Sequence, residues 1–580
     1  MTTIWIREFT GGLDTRRMPE TTPGGALIRA VNGHINRGGE FEKRAAFVPV
    51  YQLPPGATRG IARGTGDDIV VFGHEAEPSG LPAGVKYVRL EHPTDSAVAL
   101  QQVLSTTSFA SKLYVVALFA DGSRHHYYDG AYVPDWFDGR ARASFRIIGG
   151  SAGGSAQVDS ITVDGVAIIG SAVAWATSNV ATASAVASAI NSFSSSPNYT
   201  AVASGDRVNI VAADAGTAAN GRPVEVTTSG DMVVTPTTDI LMSGGGDTDD
   251  TFIPGTYVKT VGSKVYSVSG PNFHFSGVAA PTQWTTDAVG AGFVDMSSQA
   301  DGAEELQAIE RYQEFVAIFA QRTTLIFFVD PDPTLNRLVQ VLNNTGTRSP
   351  RSVTPFGDND IFYLDESGVR SLRARDSSNA AATTDIGIPV DTVVIEALSA
   401  LTSEQRRRVY GLIEPRDGRF WLCMLDRIFV FSFFPGSRIS AWSVYEPDFT
   451  IDDTAVSGRR VYLRSGDTIY AYGGEGAMPQ YDDTEAEVWL PYLDADAPER
   501  PKRWTAIDAA VEGEWETRVG LDPTNLGASD VVGRIGETTF GNLTHPAMGE
   551  STHVSLRFRS MGDGPARVSS AVIRAEQNES

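Results

Sequence analysis

The sequence is poor in cysteine and histidine. Its 580 residues include one cysteine, Cys423, and eight histidines. A single cysteine cannot form a disulfide within the chain, so nothing indicates a secreted protein that disulfides stabilise. Cys423 lies in the apolar run Phe420–Met424. Alternation along a strand predicts that its thiol is buried as a small hydrophobic group.

The histidines and carboxylates are not spaced like metal ligands. His125 and His126 are adjacent, so in a strand they point to opposite faces and cannot share one metal ion. No HExxH, CxxC, Walker-loop or calcium-loop spacing occurs in the sequence. Three acidic pairs lack the alternating carboxylates and fixed glycine of a calcium loop, and we interpret them as solvated loops: Asp249-Asp250, Asp452-Asp453 and Asp482-Asp483.

One short segment matches a motif of serine hydrolases. Gly149-Gly150-Ser151-Ala152-Gly153 has the spacing of a nucleophile elbow, which needs a strand, a tight turn and then a helix. Glycine and serine continue on both sides and no helix is predicted to follow, so a flexible linker at a domain boundary is the favoured interpretation. We therefore predict no catalytic, cofactor-binding or metal-binding residues, and we expect that the protein is not an enzyme.

Long apolar runs and a positive net charge are also absent. No uninterrupted apolar segment is about 18 residues long, so we expect no membrane span. The N-terminus has no basic start, so we expect no signal peptide. Asp and Glu number 70 against 47 Lys and Arg, which gives a net charge of −23. An acidic surface does not favour binding to the phosphates of nucleic acid. It is compatible with a channel through which nucleic acid passes without being bound. We interpret the densest basic spot, Arg406-Arg407-Arg408, as a solvated connection or a contact with an acidic partner.

A repeat is present instead. A four-residue pattern recurs, in which a charged residue precedes three residues that are mostly apolar or aromatic. It occurs at these segments: Asp68–Val71, Lys112–Val115, Lys264–Ser267, Glu314–Ala317, Asp360–Tyr363, Arg419–Leu422 and Arg460–Leu463. The gaps between their third positions are 44, 152, 50, 46, 59 and 41 residues. Short strands at a period of roughly 40 to 50 residues predict β-propeller blades, and the long gap predicts an inserted domain.

The inserted domain is predicted over residues 143–250. The stretch is rich in small residues and poor in charge, and its removal cuts the long gap to 44, which restores the period. Strands Val158–Val163 and Val166–Ile169 flank an Asp-Gly turn, and a helix is predicted to start at Ser178-Asn179. Further strands complete a small α+β unit, and Gly244–Asp250 is predicted to be its exit linker.

The predicted fold class is mainly β, with a β-propeller-like body, the inserted α+β domain and a C-terminal β-sandwich or platform. The body spans residues 56–142 and 251–475, with a short helix at Glu304–Arg311 and a hairpin at Arg419–Phe434. The C-terminal β domain spans 485–580.

Residues 1–55 are predicted to be an irregular assembly segment with little core of its own and a short helix at Leu27–Asn32. Within it, Lys43-Arg44 would offer two cations to a neighbouring protein.

Short motifs in two regions resemble a known family. The motifs of the N-terminal region are Gly11-Gly12-Leu13-Asp14, Ala30-Val31-Asn32-Gly33 and Gly39–Arg44. The motifs of the other region are Arg348–Val353, Thr384-Asp385-Ile386, Pro389-Val390-Asp391, Val409-Tyr410-Gly411 and Ile439–Ser443. In this order they resemble the tail nozzle proteins, also called tail tubular or hub proteins, of short-tailed bacteriophages. The resemblance covers roughly residues 1–55 and 300–475 and does not cover the insertion.

The resemblance implies a structural protein of the virion tail. It implies a homo-hexameric ring beneath the portal and adaptor, with tail fibres or spikes and tail tip proteins as further neighbours. Phage DNA would pass through the channel during ejection without being bound specifically, and no cofactor is implied. The alternative that remains open is a tail-borne propeller that binds or degrades glycans, since a propeller hydrolase can hold its carboxylates at distant blade ends.

Overall fold

The computed structural model describes residues 2–133, 139–153, 155–246, 254–284, 290–298, 304–357, 359–374, 381–536 and 545–577. The chain divides into two compact units, the first made of Met1–Gln52 with Arg348–Ser580 and the second of Leu53–Thr347. This division cuts across the five predicted segments, because strands near the start of the chain pair with strands near its end. Within the described parts, no helix has the length and apolar character needed to cross a membrane.

The first unit begins with seven short strands: β1 Thr2–Ile6, β2 Gly12–Leu13, β3 Ala26–Leu27, β4 Arg29–Val31, β5 Gly33–Ile35, β6 Phe41–Lys43 and β7 Phe47–Gln52. The described residues of the second unit form the α-helix α1 Asn179–Ser192 and these strands: β8 Gly60–Arg63, β9 Ile69–Gly73, β10 Val85–Arg89, β11 Leu100–Phe109, β12 Lys112–Phe119, β13 Arg124–Tyr128, β14 Ala131–Val133, β15 Arg140–Gly149, β16 Gln157–Val163, β17 Val166–Ala167, β18 Val173–Ala174, β19 Tyr199–Ser204, β20 Arg207–Ala215, β21 Pro223–Ser229, β22 Val233–Thr235, β23 Ile240–Leu241, β24 Tyr257–Val261, β25 Lys264–Ser269, β26 Asn272–Phe275, β27 Gly292–Asp295, β28 Leu306–Tyr312, β29 Phe315–Ala320, β30 Thr323–Phe328 and β31 Arg337–Asn343.

The chain then returns to the first unit through these elements: β32 Thr354–Phe356, β33 Asp360–Asp365, β34 Gly368–Ala374, β35 Ala381–Asp385, α2 Asp391–Ser399, α3 Ser403–Arg407, β36 Tyr410–Ile413, β37 Phe420–Met424, β38 Arg427–Phe434, β39 Ile439–Tyr445, β40 Asp453–Ser457, β41 Arg460–Ser465, β42 Thr468–Tyr472, β43 Glu487–Trp489, β44 Lys502–Glu512, β45 Glu514–Gly520, β46 Asp530–Ile535, β47 His545–Ser551, β48 Ser555–Met561 and β49 Arg567–Gln577.

Small antiparallel sheets dominate both units. In the second unit, β11–β14, β24–β27 and β28–β31 are four-stranded meanders, and β8–β10 is a three-stranded sheet. In the first unit, β32–β35 and β36–β39 are meanders, and β7 supplies the fourth strand to β40–β42. Successive meanders of this size are the repeating unit of propellers. The predicted mainly β fold class with a propeller-like body is confirmed, and the hairpin of β37 and β38 lies where it was predicted.

The inserted α+β domain of the fold class lies in the second unit, and β15 begins it at Arg140. Two sheets, in the orders β19-β20-β15-β22 and β17-β16-β21-β23, enclose a separate core with α1. The predicted hairpin is present, since Asp164 and Gly165 take the positive φ angles of 51° and 76° that its tight turn requires. The predicted helix is also present, because the Ser178 hydroxyl caps it by accepting from the Ala181 N–H at 3.1 Å.

Strands from the two ends of the chain pair with one another in two sheets of the first unit. β4 lies between β39 and β43 in a nine-stranded sheet, while β5 and β6 extend a second sheet through β49, which also pairs with β1. Residues 1–55, predicted to have little core of their own, contribute to a shared core, because Phe9, Leu27 and Phe41 are fully buried in the same cluster as the C-terminal strands. Phe41 makes an edge contact with the ring of Trp515, at 6.3 Å between centroids.

Two predicted helices are strands. Leu27–Asn32 spans the end of β3 and all of β4, because β4 pairs with β43 from the C-terminal part of the chain. Glu304–Arg311 overlaps β28, in which Ile309 pairs with Ile318 of β29. Leu306–Ile309 are all buried, so the apolar spacing reflects a strand covered on both faces rather than one face of a helix.

Candidate functional site

The motifs behind the family resemblance meet in the first unit. Gly12 has φ +59°, and a Cβ atom there would lie 2.6 Å from the backbone nitrogen of Trp442. The Trp442 indole N–H donates to the carbonyl of Ile386 at 2.9 Å. The Thr15 N–H donates to the carbonyl of Pro389 at 2.8 Å. Segments from the start of the chain therefore pack on segments that are distant in sequence.

A second contact of this kind forms around Asn32. Its φ is +52°, and its side-chain oxygen accepts from the Glu446 N–H at 2.9 Å and from Arg44 Nε at 3.2 Å. Arg44 also pairs with Asp482 at 3.3 Å, and Lys43 Nζ donates to the carbonyl of Asp482 at 2.7 Å. Lys43 and Arg44 are 1% and 3% exposed. The prediction that these two cations serve a neighbouring protein is wrong, because they are buried against their own chain.

Asp452, Asp453 and Asp482 of the acidic pairs contact arginines of the chain, whereas Asp483 is exposed, as predicted. Asp453 is buried, and its carboxylate lies 3.3 Å from Arg351 Nη1. Asp452 lies 3.8 Å from both Arg408 and Arg464, so Arg408 of the predicted basic triple contacts acidic groups of its own chain. Asp482 pairs with Arg44, as described above. Asp249-Asp250, like most of the predicted linker 244–250, lies outside the described residues.

A buried polar network surrounds His34 in the first unit. Its Nδ1 atom lies 2.7 Å from the hydroxyl of Tyr445, and burial together with the nearby Arg419 guanidinium holds the pKa of His34 well below its ordinary value. Arg419 lies 2.9 Å from Asp417 and 3.8 Å from Glu414. His34 therefore stays neutral in the folded chain while the unfolded chain takes up a proton below about pH 6.5.

Acid is expected to destabilise the first unit through His34. Because the unfolded state binds the extra proton, the free energy of unfolding falls as the pH drops below about 6.5, by up to about 1.4 kcal/mol per pH unit for this one group. Urea unfolding at pH 7 and pH 5.5 should show a smaller acid loss in His34→Gln than in the wild type. His553→Gln, at a histidine that is not fully buried, should retain the wild-type loss; equal losses in all three proteins would contradict the assignment.

The remaining sequence candidates lie in core positions or turns. His125 and His126 do point to opposite faces, the first toward His92 and the second toward Tyr114. His92 Nδ1 accepts from the Asp95 N–H at 3.1 Å, so a neutral His92 carries its proton on Nε2, the atom that faces His125. The described residues hold no group of three or more His, Cys, Asp or Glu side chains placed to bind a metal ion.

Cys423 and the elbow-like segment are also accounted for structurally. The Cys423 thiol is fully buried, as predicted, and burial raises its pKa. Gly149 ends β15, and the next strand is β16, so the segment joins two strands of the inserted domain rather than a strand and a helix. It therefore lies inside that domain and not at its boundary. The Ser151 hydroxyl is exposed and donates to Asp231 at 2.5 Å.

A cavity of about 610 Å³ in the second unit was not found from sequence. One wall comes from β9, β10 and β12, and the other from β15, the β19–β20 turn and the first residues of α1. Two ion pairs line it: Arg146 makes a bidentate pair with Asp206 at 2.8 and 2.9 Å, and Lys112 Nζ lies 2.9 Å from Asp129. These residues belong to no motif, since only the fold brings residues 64–130 and 146–207 together.

Comparisons with known proteins give only distant structural likenesses. No family model and no curated protein matches the chain. The fold is similar to BamB from Moraxella catarrhalis, with 8% identity over 74% of this chain and 97% of that one and a TM-score of 0.32. It is similar to the Pan2 WD40 domain of Neurospora crassa, with 9% identity over 45% and 74% of the two chains and a TM-score of 0.26.

An exo-β-1,3-galactanase from Phanerochaete chrysosporium is also similar, with 8% identity over 57% of this chain and 97% of that one and a TM-score of 0.22. Likenesses at this level assign no function. The propeller-like assignment rests on the sheet topology described above.

Proposed function

We propose that this chain is a structural component of a bacteriophage tail, a nozzle or hub protein whose copies form a ring. The ring, of about six copies, continues the DNA ejection channel below the portal and adaptor. Tail fibres or spikes and tip proteins attach around it, and the chain itself catalyses no reaction.

The packing of the family-like motifs supports this proposal. Gly12 sits where only a glycine fits against Trp442, and Asn32 takes a left-handed conformation that its contacts with Arg44 and Glu446 hold in place. Several of the motifs quoted for the resemblance therefore contact one another, among them those that contain Gly12, Ile386 and Trp442. Such contacts are what a shared fold over these motifs requires.

The acidic composition fits a channel that DNA traverses. With a net charge of −23 per chain, a ring of about six copies carries on the order of a hundred excess negative charges. Screening limits their repulsion to roughly 10 Å at about 0.1 M salt, so DNA centred in a wide channel is not held by the wall. A basic wall would instead bind phosphates and slow the passage of DNA.

The assembled mass and the charge of the lumen test the proposal. Native mass spectrometry should show a closed oligomer of about six times the 62.0 kDa chain, and a reconstruction of that particle should show an axial channel whose wall is not net positive. Duplex DNA should remain unbound at 0.15 M salt. A chain that stays monomeric and releases sugars from host envelope would instead establish the alternative, a glycan-degrading propeller.

A further inference from the structure

The cavity of the second unit has an apolar floor beneath a charged rim. Val70, Phe72 and Val115 are buried and line the floor, and the half-buried Val88 and Leu113 pack beside them. The volume of about 610 Å³ lies in the range of cavities that bind small molecules. Described residues between 64 and 207 of a single chain line the cavity, so the inference drawn from it does not rest on the proposed ring.

Five cationic side chains line the cavity, and carboxylates of the same chain closely contact four of them, in the pairs Lys86–Asp68, Arg89–Glu91, Lys112–Asp129 and Arg146–Asp206. The lining includes five cationic side chains and three carboxylates, while the whole chain has 47 cations and 70 carboxylates. A ligand that carries negative charge is therefore favoured only next to a cation that its own carboxylate neutralises incompletely. The five cations are Lys86, Arg89, Lys112, Arg146 and Arg207.

Arg207 is the least neutralised of these cations. Its Nη2 lies 3.9 Å from Asp129, a carboxylate that Lys112 already contacts at 2.9 Å. Its Nη1 donates to the Ser144 hydroxyl, which carries no charge, at 3.2 Å. Burial and the neighbouring Arg146 cation both lower the pKa of Arg207. Two cations thus share one carboxylate at the rim, and a bound anion would relieve the repulsion between Arg207 and Arg146.

The first turn of α1 adds to this positive potential. Asn179 and Val180 line the cavity, and the first turn of this 14-residue helix contains no acidic residue to offset the helix dipole. Backbone N–H groups at a helix N-terminus favour anions. Together with Arg207, they mark one side of the rim as the place for a negative group.

The carboxylates and the floor narrow the class of ligand. Asp129, Asp206 and Glu77 are acceptors suited to hydroxyl groups, and they would repel a ligand that carries several phosphates. The apolar floor, which includes the ring of Phe72, suits the C–H face of a sugar ring. We propose that this cavity binds an acidic saccharide, a sugar that carries one carboxylate or phosphate group, with that group next to Arg207.

Binding of small probes by the full-length protein tests this assignment. Glucuronic acid and glucose 6-phosphate represent the two sources of the negative group, glucose is the neutral counterpart, and inorganic phosphate lacks the sugar. Calorimetry and saturation-transfer NMR should detect at least one acidic sugar, bound more tightly than glucose and than inorganic phosphate. Binding of only one acidic sugar identifies the source of the charge.

Variants place the site in the cavity. Arg207→Gln should weaken binding of the acidic sugar by about tenfold or more, since it removes charge-assisted hydrogen bonds. Asp129→Asn should strengthen binding, because it removes a negative charge from the rim. Arg322→Gln, at an exposed arginine of the same unit outside the cavity, should bind like the wild type. If Arg207→Gln fails to fold, as judged by circular dichroism, Arg146→Gln takes its place with the same expected loss.

Three results would overturn the proposal. The first is no binding of either acidic sugar. The second is equal affinity for glucose and glucuronic acid, or binding of inorganic phosphate as tight as that of the sugars. The third is acidic-sugar binding that neither arginine variant weakens.

Discussion

A chain that lacks residues 1–52 is expected to lose the fold of its first compact unit. β4 joins β39 to β43, so its removal divides the nine-stranded sheet, and removal of β7 takes away the fourth strand of the sheet formed by β40–β42. Phe9, Leu27, Ile35 and Phe41 are each fully buried. The loss of large buried side chains costs about 2–5 kcal/mol each, so four such losses, about 8–20 kcal/mol together, are comparable with the roughly 5–15 kcal/mol that stabilise an ordinary domain.

The measurement is thermal and urea unfolding of the soluble fraction, followed by circular dichroism and limited proteolysis. Deletion of residues 1–5 is the matched control, because it removes most of β1, an edge strand that pairs only with β49 and whose Trp5 is 54% exposed. We expect this short deletion to lower the melting temperature by only a few degrees. If the long deletion leaves residues 348–577 resistant to protease, the interleaved core described above does not stabilise the unit.

Replacement of Trp421 by alanine is expected to destabilise the first unit by about 3–5 kcal/mol, since it empties the volume of a large aromatic side chain. Trp421 is fully buried, and its ring makes edge contacts with Tyr472 at 4.8 Å, Tyr445 at 5.4 Å and Phe47 at 6.4 Å between centroids. Its indole N–H finds no hydrogen-bond partner among the described residues. Trp421→Phe should therefore cost much less, because it keeps an aromatic ring and removes a buried donor that lacks an acceptor.

Urea unfolding measures the stability of these variants. The midpoint urea concentration reports the change, provided that the free energy of unfolding depends on urea with the same slope in each variant. Trp5→Ala serves as the control for loss of a tryptophan, and since that side chain is more than half exposed, it should change stability by less than about 0.5 kcal/mol. A Trp421→Ala protein as stable as Trp5→Ala would mean that the aromatic cluster around Tyr472 does not depend on this ring.

Local patterns in the sequence predict the parts of the fold whose partners are close in the chain. The hairpin of β37 and β38 needs only two apolar strands and a turn, and α1 needs only a serine cap and apolar residues at helical spacing. β4 is a very short strand, and both of its neighbours, β39 and β43, come from the distant C-terminal part of the chain. A segment that short carries no periodicity of its own, so Leu27–Asn32 is compatible with a helix until its partners are known.

The cavity and the buried ion pairs could not be predicted for the same reason. Arg207 and Lys112 are ordinary charged residues in the sequence, and only the packing of β20 and β12 in one unit brings both to Asp129. Lys43-Arg44 shows the converse. Two adjacent cations in a turn-rich segment predict an exposed basic patch, yet Asp482 and the carbonyl of Gly562 satisfy them inside the protein.

The position of β4 between β39 and β43 also sets an order of events during synthesis on the ribosome. Residues 53–347 leave the ribosome as one uninterrupted stretch and can complete their unit while translation continues. The N-terminal strands have to wait, since β4, β6 and β7 pair with β39 and with strands that follow it in the chain. At translation rates of about 5–20 residues per second, roughly 400 intervening residues amount to about 20 to 80 seconds. During that time the apolar strands near the N-terminus lack their partners from the C-terminal part of the chain, and the chain has to keep them from pairing with neighbouring nascent chains.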